Sequence, residues 1–244
     1  MKRIVLSVLF GLLLGNLSAQ EPDAAAKNAG NAAWKAKNYQ EAFVNFEKYL
    51  ESVKFSDNAY VYNAAVAASK IDNFSKAEKY FDMSIKNNYK LPSAYLGKAN
   101  AQEDLKKPDM MLQTLETGLK ALPGNSKLEN KYSTYYLKAG VEAQKKNNLT
   151  KAIESYNKVV GLQSKEAKLK AYTALASLYF NNGASILQKA TPKANTDKEF
   201  YEAEKTKAQA EFKKALENVN QASVIDPANG DVKTLTADIQ KAMK

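Results

Sequence analysis

The chain is 244 residues long and carries 36 basic against 26 acidic side chains, a formal charge of +10. It contains no cysteine and no histidine, which excludes disulfides, thiol nucleophiles and iron–sulfur clusters and leaves zinc only an unusual all-carboxylate ligand set. Arg3 is the sole arginine, so the remaining basic residues are all lysine; phosphate and base-edge recognition favour the bidentate guanidinium, and the charge therefore reads as solvated helix faces with no nucleic-acid partner.

The first segment reads as an address. Lys2 and Arg3 precede an apolar run from Ile4 to Leu14 that only Ser7 and Gly11 interrupt, and Asn16-Leu17-Ser18-Ala19 supplies a small and polar stretch for cleavage after Ala19. This is the pattern of a signal peptide over residues 1–19. A spanning helix needs ~20 apolar residues, and this run is shorter. With no cysteine after it, the chain is expected to be exported, periplasmic or secreted in a bacterium, and not a lipoprotein, with no transmembrane segment in the mature protein.

Beyond it, glycine and proline are scarce (10 and 6), and the alanine, leucine, lysine and glutamate that dominate lose little rotamer freedom on a helix. One block recurs in chain order. It runs Asn38-Tyr39-Gln40-Glu41-Ala42 with Phe46, then Asn73-Phe74-Ser75-Lys76-Ala77 with Phe81, then Asn148-Leu149-Thr150-Lys151-Ala152 with Tyr156. Twelve residues before each alanine stands a small residue: Gly30, Ala65 and Gly140. The pattern predicts helical hairpins. Asn takes a left-handed conformation at the turn, the alanine lets the second helix approach the first, and the aromatic one turn later fills the space between hairpins.

These residues resemble the tetratricopeptide repeat family, whose pattern is a small residue on the first helix and Ala-x3-Phe on the second. The resemblance covers about residues 22–244. It implies an all-α tetratricopeptide-repeat superhelix, an α-solenoid of about five helical hairpins, over residues 20–228 (repeats at about 23–57, 58–91, 92–125, 126–166 and 167–228). The third unit departs from the pattern. Leu96-Gly97 matches the first helix and Leu115, Gly118 and Pro123 the second, but Met111 replaces the alanine and Pro108 marks a slightly longer turn. The fifth is extended: Leu175-Ala176 and Tyr179 match its first helix, Ala184 to Ala190 still reads as helix, a loop covers Thr191 to Asp197, and a long run follows from Lys198 with Ala215, Val219 and Ala222 at second-helix spacing. Such a final hairpin looks like those of exported envelope members in the Bacteroidetes. Residues 229–244 form a C-terminal capping helix with Val232, Leu235, Ile239 and Met243 on one face.

In this family the first helix of each hairpin lines a concave groove for a partner peptide or helix. The matching positions here are Lys27, Asn31, Trp34, Tyr62, Asn63, Val66, Leu137, Val141 and Gln144. Lys27, Asn31 and Asn63 also fall on three positions by which some members clamp a C-terminal carboxylate, but Ser93 and Gly97 stand where two basic groups belong. No phosphate-cradling GxxxxGK[ST], GxGxxG or GxSxG motif occurs, and no catalytic, metal or cofactor-binding residues emerge. The expected function is a non-enzymatic protein–protein interaction scaffold or assembly adaptor of the bacterial cell envelope, without cofactor. The alternative is a module for a non-protein envelope ligand such as cell-wall glycan, drawn to Tyr132, Tyr135 and Tyr136 and to lysines.

Overall fold

A computed structural model describes residues 22–244, and the expected signal peptide lies outside the described residues. Among these residues there are eleven α-helices, one 3-10 turn and no strand. They fall into two compact units, one ending at Tyr89 and one running from Lys90 to Lys244.

The first unit holds two hairpins, α1 (Ala24–Lys35) with α2 (Tyr39–Ser52) and α3 (Asn58–Lys70) with α4 (Phe74–Lys86). Each helix begins on a side chain that satisfies a free amide: Asp23, Asn38, Asp57 and Asn73 accept from backbone N–H groups of the first turn. The recurrent asparagine is thus the N-cap of the second helix. The left-handed residue is its predecessor, with φ of 61° at Lys37, 56° at Asp72 and 55° at Asn147. The sequence reading placed that conformation one residue late, because asparagine suits both roles and only the position of the first free amide separates them.

The repeat alanines are fully buried, Ala42, Ala65 and Ala77 all at 0% exposure. Gly30 has a definite job. A Cβ there would lie 2.6 Å from the ring of Phe46, so the aromatic packs against the small residue of its own hairpin. Its other side meets Tyr60 of α3 edge-on, with centroids 5.3 Å apart. The ring therefore joins both within and between hairpins.

The second unit contains α5 (Leu91–Asp104) with α6 (Pro108–Ala121), α7 (Ser126–Lys145) with α8 (Leu149–Val160), α9 (Lys165–Ala190) with α10 (Lys198–Ile225), and α11 (Gly230–Ala242). Pro108 does not lengthen its turn. It is the first residue of α6, where its missing N–H costs nothing, and Leu105 to Lys107 span the same three residues that separate α1 from α2. The small residue of this hairpin is Ala99, at 0% exposure, opposite fully buried Leu115; Gly97 is half-buried.

Gly140 and Tyr156 repeat the contact of Gly30 and Phe46, again 16 residues apart. In the long final hairpin Gly183 takes the same part: a Cβ there would meet the ring of Phe212 at 2.7 Å. Phe212 follows it by 29 residues, 13 more than in the regular repeats. Ala208 stands four residues before Phe212 and is fully buried, completing the Ala-x3-Phe pattern where the sequence reading had used Ala215, Val219 and Ala222. Those three instead build the next layer, a cluster with Ala176, Val232 and Ile239 that closes α11 over α9 and α10.

Candidate functional site

The positions implied for the groove divide between the two units. Lys27, Asn31, Trp34, Tyr62, Asn63 and Val66 belong to the first, and Leu137, Val141 and Gln144 to the second.

In the first unit Lys27 and Asn31 converge on α3. The Lys27 ammonium sits 4.7 Å from the Tyr49 ring centroid and 4.6 Å from that of Tyr60. It donates to the Tyr49 hydroxyl at 3.2 Å, which in turn donates to the Asp57 carboxylate at 2.9 Å. The hydrogen bond to Tyr49 is the main cause that raises the Lys27 pKa above its ordinary value. Asn31 donates to the Tyr60 hydroxyl at 2.7 Å and accepts from it at 3.0 Å. Both side chains are therefore engaged by the chain itself. Trp34 meets Tyr39 edge-on at 5.3 Å and lies tilted to Phe46 at 6.1 Å. Tyr62 packs against Phe81 and Tyr89, with Asn63 and Val66 half-buried beside it on α3.

In the second unit α7 contacts α5 on one side and α9 on the other, and a cleft lies along each flank. The α7–α9 cleft has a volume of about 650 Å³ and is lined by Ser126, Lys127, Asn130, Thr134, Leu137 and Gln163 among others. The α5–α7 cleft, of about 500 Å³, is lined by Glu103, Met111, Lys131, Tyr135, Lys138 and Glu142, with Thr134 and Ala139. Thr134 belongs to both, so α7 is a ridge between two adjoining hollows. Of the expected α7 positions only Leu137 lines a cleft. Gln144 accepts from the Tyr156 hydroxyl at 2.7 Å, and Val141 is 43% exposed.

The loop floor is held by Glu129. Its carboxylate is 4% exposed and accepts from the backbone N–H groups of Gln163 at 2.7 Å and Ser164 at 2.8 Å. That bond fixes the entry of α9 beside α7. Across the other cleft Lys131 reaches Glu103 at 2.6 Å and ties α7 to α5. The tyrosines of the glycan alternative are mostly structural. Tyr132 is 5% exposed and donates to Glu116 at 3.0 Å; burial, then that bond, pushes its pKa up. Tyr136 packs on both Tyr132 and Tyr135, and only Tyr135 lines a cleft.

Sequence offsets from Gly140 point to the C-terminal half of α7, whereas both clefts draw mainly on the two turns before it. The signal that marks them is the polar stripe Ser126, Asn130, Thr134, spaced by four along one helix face. Among the described residues no group of acidic side chains could hold a metal ion, and no helix is long and apolar enough to cross a membrane.

Comparison with known proteins places this geometry in context. The family model described as tetratricopeptide repeat matches residues 133–166, within the α7–α8 hairpin and the turn after it. A crystal structure of a TPR repeats protein from Bacteroides fragilis NCTC 9343 is 40% identical, with a TM-score of 0.87 over 91% of this chain and 99% of that one. The TPR2AB domain of yeast Sti1, solved as a complex with pHSP90, is 16% identical, covers 88% of this chain and 97% of that chain, and has a TM-score of 0.37. YrrB, described as a TPR protein with an unusual peptide-binding site, is 15% identical over 89% and 91% with a TM-score of 0.39. At that overlap neither of the last two bears on the partner of this chain. No curated protein matches.

Proposed function

The chain belongs to the tetratricopeptide repeat family, and from that premise we propose that it is a non-enzymatic interaction scaffold or assembly adaptor of the bacterial cell envelope. The first helices of its hairpins present a surface to a partner peptide or helix, and the second helices hold them in register through the glycine–aromatic and buried-alanine contacts. The observation that carries this reading is the pair of open clefts flanking α7, on helices whose positions are fixed from behind by Tyr156 and Gln144 and from the side by Glu129 and Lys131. Such a rigid, concave and mixed polar–apolar surface suits recognition, and the lack of histidine and cysteine leaves little for catalysis. The envelope location rests on the signal-peptide pattern of residues 1–19.

The glycan reading keeps one supporting observation, the half-buried Tyr135 at a cleft with Lys131 and Lys138. The two are separated by affinity capture of the tagged chain from its native envelope with a short amine crosslinker. Recurrent crosslinks from one protein to Lys127 or Lys138 support the scaffold. Empty capture together with salt-sensitive retention on isolated cell wall overturns it in favour of the glycan.

A further inference from the structure

The two hollows beside α7 differ in chemistry, and the difference specifies an occupant. The α5–α7 cleft has an apolar floor made by Met111, Ala139 and the Tyr135 ring, walled by the Lys131–Glu103 pair. The α7–α9 cleft has no aromatic ring in its lining. It is edged by Ser126, Asn130, Thr134 and Gln163, four exposed neutral side chains. None of these four uses its side chain in a hydrogen bond to another described residue. Hydroxyls and carboxamides both donate and accept, so this row complements the alternating N–H and C=O groups of an extended main chain. A sugar offers its C–H face to an aromatic ring, and the longer cleft provides none. The fixed charges do not select a strongly charged ligand either: Lys131 with Glu103 and Lys170 with Glu166 are paired at 2.6 Å, and Glu129 is committed to two backbone amides.

We infer that the α5–α7–α9 face binds an extended polypeptide segment of low net charge, seating one apolar side chain on Met111, Tyr135 and Ala139 while the adjoining main chain passes Thr134 into the hydroxyl- and amide-edged cleft. This rests on the scaffold reading and names the chemistry of its partner. The apolar side chain supplies affinity by leaving water, at roughly 25 cal/mol per Å² of apolar surface buried. The polar row fixes direction and register, since a buried main-chain group left unpaired in a wrong register is penalised. Thr134, shared by both hollows, is the point at which the chain changes compartments.

The test uses the purified chain and short fluorescent peptides of Ser, Asn and Gly that carry a single central Leu, compared with the same peptides lacking it. Fluorescence anisotropy is the readout. Binding that requires the Leu, and that weakens by about tenfold or more on plugging the floor with Ala139→Trp, is the expected result. A paired variant, Asn130→Ala with Thr134→Ala, adds no bulk and is expected to weaken binding as well, so the test stands even where the tryptophan perturbs folding. Equal binding by the Leu-free peptide, or retention of full affinity in both variants, overturns the site while leaving a scaffold that engages polypeptide elsewhere. Displacement of the peptide by soluble cell-wall glycan fragments overturns the polypeptide assignment. No binding by any peptide overturns this chemistry, and the crosslinking experiment then decides the scaffold reading separately.

Discussion

A Cβ placed on Gly140 would stand 2.4 Å from Cε1 of Tyr156. The glycine is there so that a ring carried on α8 can lie directly on the backbone of α7. The ring then reaches past the backbone, and its hydroxyl donates to Gln144 one turn further along the same helix. One residue type on each helix thus sets the separation of the pair and, through the hydroxyl, its register.

The first prediction concerns that separation. Gly140→Ala and Gly30→Ala each force a buried ring to move, and overpacking of this kind costs ~1–3 kcal/mol. Gly230→Ala meets nothing within 4 Å and is expected to be neutral or to stabilise by up to ~1 kcal/mol from helix propensity. Urea midpoints of the three variants check the contrast. Equal midpoints for all three would dissociate the glycines from the packing.

The turn between paired helices makes a second prediction with opposite signs at adjacent residues. Asn38 accepts from the Glu41 amide and donates to the Glu41 carboxylate at 2.8 Å, so Asn38→Ala should cost ~0.5–2 kcal/mol. Lys37 holds φ at 61°, a region that strains any side chain, so Lys37→Gly should stabilise by ~1 kcal/mol. Thermal unfolding of the two variants should shift in opposite directions.

Glu129 gives a third. Its replacement by Ala leaves the Gln163 and Ser164 amides without their acceptor, at a cost of ~1–3 kcal/mol for each that stays buried. Because these amides lead into α9, hydrogen exchange should accelerate at Gln163 and Ser164 before it does in α1 to α4. Uniform acceleration over the whole chain would show that the bond has no local role.

Alkaline pH gives a fourth. Burial raises the pKa of Tyr80, Tyr132 and Tyr156 above the ordinary phenol value, with Glu47 and Glu116 adding to the first two. Since the folded value exceeds the unfolded one near ~10, the folded state holds its proton where the unfolded state releases it. Stability from these groups is fully present below that pH and is lost as pH rises through the folded values. The helical signal should therefore hold to about pH 9 and fall at higher pH, with a shallower fall in Tyr132→Phe. A pH profile unchanged by that substitution would count against the buried phenol as a contributor.

How much of this was legible beforehand depends on the kind of signal. The pairing of helices was, because Gly30, Ala42 and Phe46 recur at constant spacing and each has a steric reason. The long last hairpin was legible as a length, yet Gly183 was read as a turn residue. Its aromatic partner lies 29 residues on, outside the window in which a repeat is sought, and Asn181-Asn182-Gly183 has the composition of a loop. The candidate surface was less legible still. Family offsets selected Lys27 and Asn31, whose polar groups the neighbouring hairpin consumes through Tyr49 and Tyr60, since an offset records which way a helix face points and not what stands opposite it. The clefts beside α7 depend on that helix starting at Ser126, earlier than the repeat alone requires.

The Gly183–Phe212 contact carries a mechanical consequence. The last hairpin is gripped at the same point as the regular ones, and the 13 additional residues lie wholly beyond the grip. Since α9 continues for seven residues past Gly183, it projects about 10 Å further at ~1.5 Å per residue. The grip sets alignment and the overhang sets reach, so the projection can be shortened or lengthened like the free end of a cantilever without disturbing the clamp that supports it.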